Sequence, residues 1–366
     1  DDYYFTSDIQ LAYDHNSKYD FQYINATYGS ISARGLLTGT KVKILGTDLY
    51  LSSAFYYDDK GKIVQSRSQN HKGGYDVEYY SYTFSGKPSA KMCTYQVKNG
   101  NQYVEEYGYV YNEVDDIISI NHKFGDAINS KKLISYQYDT ARRIQFKDVG
   151  MNGVITRYIY DIHDQMTEST SPFFSQQLFY HNGTGTPCYN GNISSMTWKS
   201  ESDANMRGYR FKYDGLNRLV HAEYGEKDDM SLNRGRYDEG ITSYDKNGNI
   251  RGLQRFGQTD TNAYGQVDGL SLSYTGNRLL CVTDSATKNT YGSGFDFKKG
   301  AELATEYFYD TNGNLTKDLN KKITDIQYNC LNLPQTIEFV DGSTVSYLYR
   351  ADGRKLQVTH KNENSV

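Results

Sequence analysis

Apolar and polar positions alternate with a period of two along most of this chain, as in Tyr80-Ser81-Tyr82, Tyr136-Gln137-Tyr138 and Phe211-Lys212-Tyr213. Alternate side chains of a strand share one face, so the pattern predicts strands with an aromatic face. Each run ends at a tyrosine followed by a turn-forming residue. Asp, Asn or Thr there can bond the backbone two residues on. Three residues later the longer units carry a residue that tolerates positive φ: Gly61, Gly86, Gly248, Gly313, Gly353, Asn217, Asn332, Asp115 or Asp164, with Arg142 as the exception. An aliphatic residue then restarts the chain, as at Ile63, Ile117, Ile144, Leu219, Ile250 and Leu315. The unit therefore reads strand, tight turn, strand.

Twelve tyrosines hold this position: Tyr57, Tyr82, Tyr111, Tyr138, Tyr160, Tyr189, Tyr213, Tyr244, Tyr274, Tyr309, Tyr328 and Tyr349. Their mean spacing is about 26 residues, within the range of repeat architectures. Two residues earlier the same face is aromatic in eight units: Phe55, Tyr80, Tyr109, Tyr136, Tyr158, Phe211, Tyr307 and Tyr347. The fold expected is all-β, a curled antiparallel strip of stacked hairpins, since strand twist curls such a strip.

Residues 1–55 read as degenerate strand-rich repeats, with Tyr13-Asp14 and Tyr19-Asp20 as decayed units; replacing Tyr13 by alanine is expected to cost little stability. Residues 56–358 form the continuous array, and 359–366 a short tail. Connections at 167–187, 225–239 and 284–299 are surface insertions. No sustained helical period occurs, and Lys199–Arg207 is the place for one short turn.

Length alone would suggest two domains, but stacked repeats make one continuous body. Hydrophobic residues are 37% of the chain, low beside roughly 45–50% for globular proteins. The 37 tyrosines compensate, because Tyr buries a ring and keeps a hydroxyl for water or backbone. Four prolines suit strands that must donate ladder hydrogen bonds. Forty basic against 44 acidic residues leave no electrostatic footprint for nucleic acid. The longest apolar run, Ala54 to Tyr57, is far short of the ~20 residues that span a bilayer, so no membrane insertion is expected. Cys93, Cys188, Cys281 and Cys330 are too scattered for a zinc site.

No catalytic, cofactor-binding or metal-binding constellation emerges. Asp245-x-Asn247-x-Asn249 and Asp310-x-Asn312-x-Asn314 imitate the start of a calcium loop, but position twelve is Phe256 or Lys321 in place of a bidentate Glu. The seven histidines show no metal spacing. Neither a nucleophile elbow nor a dinucleotide fingerprint is present. Adjacent acids such as Asp115-Asp116 point to opposite faces of a strand and make a poor acid–base pair. Trp198, the sole tryptophan, reads as a core anchor. The tyrosine rows are the one feature rich enough to carry function, by packing across strands or by stacking sugars.

Tyr309-Asp310-Thr311-Asn312-Gly313-Asn314-Leu315 and Tyr213-Asp214-Gly215-Leu216-Asn217-Arg218-Leu219 resemble the YD repeat of the bacterial RHS family, as do Tyr138 to Ile144 and Tyr349 to Leu356. The resemblance covers residues 35 to 358. Gly35 to Val42, Tyr189 to Ile193 and Tyr328 to Pro334 are similar to the Bacteroidetes cell-surface subgroup. Unit 161 lacks the glycine, unit 190 is shortened and unit 350 has Arg in place of Asp. The resemblance implies that the strip winds into an open partial shell or spiral, a non-enzymatic shell segment of a secreted or surface protein, a fragment lacking the C-terminal core and effector region. Its partners would be the remaining repeats and that effector, with no cofactor. The alternative is a carbohydrate- or cell-surface-binding module using exposed tyrosine platforms.

Overall fold

A computed structural model describes residues 3–19, 34–125, 127, 129–150, 153–292 and 294–362. The chain is all-β: among the described residues there are 25 strands and one helix, the four-residue Phe5–Asp8. It divides into two compact units, residues 1–155 with 347–358, and residues 156–346 with 359–366.

In the first unit nine strands follow one another: Gly39–Lys43, Tyr50–Tyr57, Ile63–Gln69, Tyr75–Tyr82, Pro88–Gln96, Gln102–Tyr111, Ile117–Phe124, Lys131–Tyr138 and Ile144–Val149. Each pairs antiparallel with the next. The outer edge of Gly39–Lys43 is covered within the same unit. The Leu45 N–H donates to the Tyr349 carbonyl at 2.9 Å, the Ala351 N–H donates to the Lys43 carbonyl at 2.8 Å, and Ile44 bridges Arg350. Covering an edge removes a template for unwanted strand pairing.

In the second unit neighbouring strands from Met166–Thr170 to Arg278–Asp284 also pair antiparallel. So do Tyr307–Tyr309, Leu315–Asp318, Ile323–Tyr328 and Pro334–Phe339. The expected insertion at 167–187 contributes a strand of its own, Phe174–Phe179, turned at Ser171-Pro172. In place of a helical turn at Lys199–Arg207, residues 201–206 form a hairpin loop between the strands Ser195–Ser200 and Arg207–Tyr213, where the Asp203 carboxylate accepts from the Ser200 N–H and hydroxyl at 2.9 and 2.6 Å.

The amino-terminal stretch differs from the strand-rich expectation. Residues 3–19 lie over one face of the first unit's sheet instead of forming hairpins. Leu11, Ala54, Tyr56 and Val64 form a buried cluster, packed by Tyr3, Phe5, Ile9 and Tyr13. Tyr19 joins Val77, Tyr79 and Met92 in another. Polar groups lock the segment down. The Tyr56 hydroxyl donates to the Leu11 carbonyl at 2.7 Å, and the Tyr79 hydroxyl donates to Asp14 at 2.6 Å. Gln65, fully buried, exchanges two hydrogen bonds with the Asp14 backbone. Tyr13 is therefore not idle: its ring meets Tyr56 edge-on at 5.3 Å. Asp20 of the second expected decayed unit lies outside the described residues, as do Ser293 in the third insertion and 363–366 of the tail.

Burial is uneven. Among the described residues from Tyr95 through Ile193 none is buried, although these residues form seven complete strands. Over that stretch hydrophobic burial is partial on both sheet faces, so the hairpins rely on their own turns and cross-strand bonds.

Candidate functional site

The turn after ten of the twelve key tyrosines has the same backbone bonds. In the first, the Asp58 N–H donates to the Lys62 carbonyl and the Gly61 N–H to the Asp58 carbonyl, at 2.9 and 3.1 Å. The Asp58 Oδ1 accepts from the N–H groups of Lys60 and Lys62 at 2.9 and 2.8 Å. The same clamp recurs at Asn112, Asp139, Asp161, Asp214, Asp245 and Asn329. Two such bonds satisfy donors that a tight turn would otherwise leave open. The fourth turn residue is left-handed, with φ +75° at Gly61 and +90° at Gly313. That conformation goes with a bulge at the tyrosine, as between Tyr56 and Tyr57 or Gln137 and Tyr138. The exceptional Arg142 also adopts φ +63°. Its guanidinium reaches the preceding turn, Nε donating to Asp116 at 3.0 Å and Nη2 to the Val114 carbonyl at 3.1 Å. Thr275 differs, starting a short turn through Gly276-Asn277.

The bulges create the tyrosines' role. Pairing between Ile63–Gln69 and Tyr75–Tyr82 stops at Gln65 opposite Tyr79, short of the Ile63 carbonyl. The Tyr82 hydroxyl donates to that carbonyl at 2.7 Å. The same staple joins Tyr57 to Leu37, Tyr111 to Pro88, Tyr138 to Ile117, Tyr213 to Ile193, Tyr244 to Leu219, Tyr274 to Ile250, Tyr309 to Leu279 and Tyr328 to Leu315, at 2.6–3.1 Å. Each hydroxyl thus ties one turn to the hairpin before it. Side chains add links between turns: Ser85 donates to Asp115 at 2.9 Å, and Asn314 donates to Asn332 at 3.2 Å.

Three of the twelve tyrosines stand apart. Tyr160 ends the strand Val154–Tyr160. Tyr349 is buried at the end of Thr344–Tyr349 and uses its carbonyl for Leu45. Tyr189 lies outside any strand, 85% exposed, with its ring stacked on His181 at 6.0 Å. Its expected place is taken by Tyr180, whose hydroxyl donates to the Met166 carbonyl at 3.0 Å. Tyr180 is followed by His181 in place of Asp, Asn or Thr, which hid it, although Gly183 with φ +86° marks a turn.

The hydroxyl staple and the ring both contribute. Tyr309→Ala is expected to cost about 3 kcal/mol, as for other large aromatic truncations. Tyr309→Phe, which leaves only the Leu279 carbonyl unpaired, should cost about 1 kcal/mol. Urea titration of both variants checks the split; equal costs would mean that the ring alone matters.

The turn carboxylates are spoken for. Asp245 Oδ1 accepts from Asn247 and Asn249 N–H groups, and Oδ2 from the Asn249 side-chain amide at 2.8 Å. That amide, above all, holds the carboxyl below the ordinary aspartate range. At Asp139 the Arg143 N–H is the main cause and its guanidinium the second. A second acidic group, Asp268, Asp284 and Asp296, brings carboxylate oxygens within 4.8 Å of one another. There Arg255 Nε donates to Asp268 at 2.6 Å, the Phe297 N–H donates to Asp268 at 2.9 Å, and Lys298 lies 3.1 Å from Asp296. With these oxygens engaged, adding calcium or EDTA should leave the melting temperature unchanged. A shift of several degrees would reveal a cation bound to the native state.

The second unit also holds a cleft of about 400 Å³. Tyr209, Tyr237, Phe256, Tyr291 and Phe295 line it, with Glu239 and Arg255. Tyr291 and Phe295 come from the third insertion and Tyr237 from the second, so both insertions build walls. Trp198 is half-buried and stacks on Tyr209 at 5.5 Å, with Phe211 on the far side at 6.1 Å. Burial first, then the Glu239 carboxylate, pushes the Tyr209 hydroxyl up to about 12.

No family model matches the chain, and no curated protein matches it. Solved structures do. A chain in the crystal structure of TcdB2-TccC3-Cdc42 aligns with TM-score 0.52 and 10% identity, over 89% of this chain and 20% of that one. A chain in the crystal structure of TcdB2-TccC3 without its hypervariable C-terminal region aligns with TM-score 0.49 and 12% identity, over 86% and 18%. This chain spans about a fifth of the length of those it matches. The first likeness concerns fold: an RHS-like antiparallel strip of hairpins.

Proposed function

We propose that this chain is a non-enzymatic wall segment of a shell, in a secreted or surface-anchored bacterial RHS protein of the Bacteroidetes type. On this reading the strip encloses or presents an effector segment of the same, longer polypeptide. The observation that carries it is the absence of any buried residue among those described from Tyr95 through Ile193. A strip held by turn clamps and tyrosine staples keeps its faces available for another polypeptide. The N-terminal segment over Ala54, Tyr56 and Val64 illustrates how such a face accepts a covering chain. The polar groups of the turns are spent on backbone, which favours scaffolding over catalysis.

The test is protease shielding in the full-length parent protein. One cleavage site is inserted after Asp228, on an exposed loop, and another downstream of residue 366. The reading expects rapid cutting at the loop and protection downstream until the strip is unfolded. Equal cutting at both sites under native conditions would overturn it. A carbohydrate-binding role is the second reading. It is favoured by the near-parallel rings of Trp198, Tyr209 and Phe211, since the stapled tyrosines have their hydroxyls committed.

A further inference from the structure

Electron-rich ring faces are places where cations settle. On this protein the chain's own side chains take many of them. Lys41 lies over Tyr50 at 4.8 Å, Arg218 over Tyr244 at 4.2 Å, Arg236 over Tyr264 at 4.2 Å, and Lys355 over Tyr347 at 4.3 Å. The cleft of the second unit breaks this rule. Among the described residues no Lys or Arg sits over Tyr209, Tyr237, Phe256, Tyr291 or Phe295. The one cation that lines the cleft, Arg255, is turned to the fully buried Asp268, with Nε donating at 2.6 Å. Glu239 also lines the cleft, is exposed, and has no ion-pair partner among the described residues.

The unspent charge in the cleft is therefore negative, and its unspent surfaces are ring faces. Phe295 is 89% exposed and Tyr291 50% exposed. An anion would meet Glu239 with no free countercharge. A purely apolar ligand would strand the Glu239 carboxylate against it. The volume, about 400 Å³, exceeds what a metal ion needs and suits a small organic molecule.

We propose that this cleft binds an organic ammonium ion, in particular a quaternary methylammonium group of the choline type. The methyl groups lie against Tyr237, Phe256, Tyr291 and Phe295, and Glu239 supplies the countercharge. Such a group has no N–H to satisfy and is weakly hydrated, so ring faces and one carboxylate suffice for it. The site is independent of the shell reading: it concerns one cleft in one unit and holds whatever the strip encloses.

Trp198, the only tryptophan, stacks on Tyr209 and reports on the cleft through its fluorescence. The intact chain is titrated with choline and, separately, with 3,3-dimethylbutan-1-ol, the neutral carbon isostere. Calorimetry is run in parallel. The expected result is saturable choline binding in the millimolar range, with the isostere about tenfold weaker. Glu239→Gln should weaken choline about threefold to tenfold, and Tyr291→Ala at least as much, while circular dichroism stays unchanged. Both positions are exposed, so neither variant threatens the fold. Phosphatidylcholine vesicles form a separate arm. Binding to free choline alone points to a soluble ligand; additional co-sedimentation with vesicles points to a lipid headgroup. Isostere binding equal to choline overturns the proposal. So does preference for a neutral trisaccharide, an unchanged affinity in Glu239→Gln, or no saturable signal by either method.

Discussion

Replacing Tyr56 by alanine is expected to destabilise the first unit by about 4 kcal/mol, within the range for burying and then deleting a large aromatic side chain. Tyr56 is 2% exposed and sits at the contact between the strand Tyr50–Tyr57 and the N-terminal segment. Its ring stacks on Tyr3 at 4.6 Å and meets Tyr13 at 5.3 Å. The substitution also removes the hydroxyl that satisfies the Leu11 carbonyl. Small proteins have only about 5–15 kcal/mol to lose, so a melting shift of roughly 10 °C is expected. Tyr56→Phe keeps the ring and should cost about 1 kcal/mol. The local consequence separates this effect from general loosening. Residues 3–19 should become cleavable at protease concentrations that leave the hairpins intact. If Tyr56→Ala melted as the parent does, with residues 3–19 still protected, the buried cluster would not be what secures that segment.

The hairpin array was legible because its turns obey local chemistry. Tyr-Asp with a left-handed residue three positions later needs no distant partner to define it, and Asp58, Asp139 and Asp214 close their turns within five residues. Arg142 shows the same geometry surviving a poor residue choice, because Asp116 and the Val114 carbonyl on the neighbouring turn hold its guanidinium. What failed locally was equally physical. Tyr189 has the right neighbour, Asn190, but Tyr180 is the tyrosine that reaches an unpaired carbonyl, a fact set by register and not by composition. Residues 3–19 look like worn hairpins because tyrosine and aspartate recur there. Their role is to cover a sheet face, and only the positions of Ala54, Val64 and Met92 reveal that. The cleft was hidden for the same reason. Tyr237, Phe256 and Tyr291 come from two insertions and a strand, and no spacing in the sequence brings them together.

Raising the pH through the tyrosine range should unfold the strip cooperatively. Nine stapling hydroxyls, among them Tyr82, Tyr138, Tyr213 and Tyr328, donate to backbone carbonyls. A phenolate has no proton to donate and would face the carbonyl oxygen with its own negative charge. Burial raises these hydroxyls above the ordinary value of 10.0, with Asp58 adding to the effect at Tyr82. The folded state therefore holds their protons more tightly than the unfolded chain. Their contribution is complete below pH 10 and is lost as the pH climbs through the higher folded values. Each staple has a net worth of about 1 kcal/mol. Losing several at once is comparable with the whole stability of a domain. Tyrosinate absorbance and the loss of sheet circular dichroism should then rise together in one step above roughly pH 10. A variant with Tyr82, Tyr138 and Tyr213 changed to Phe tests the assignment. It starts less stable at neutral pH, and its remaining stability should fall less steeply with alkali, because fewer protons are linked to folding. Gradual tyrosine titration around pH 10 with the sheet signal intact would show that the hydroxyls do not hold the turns together.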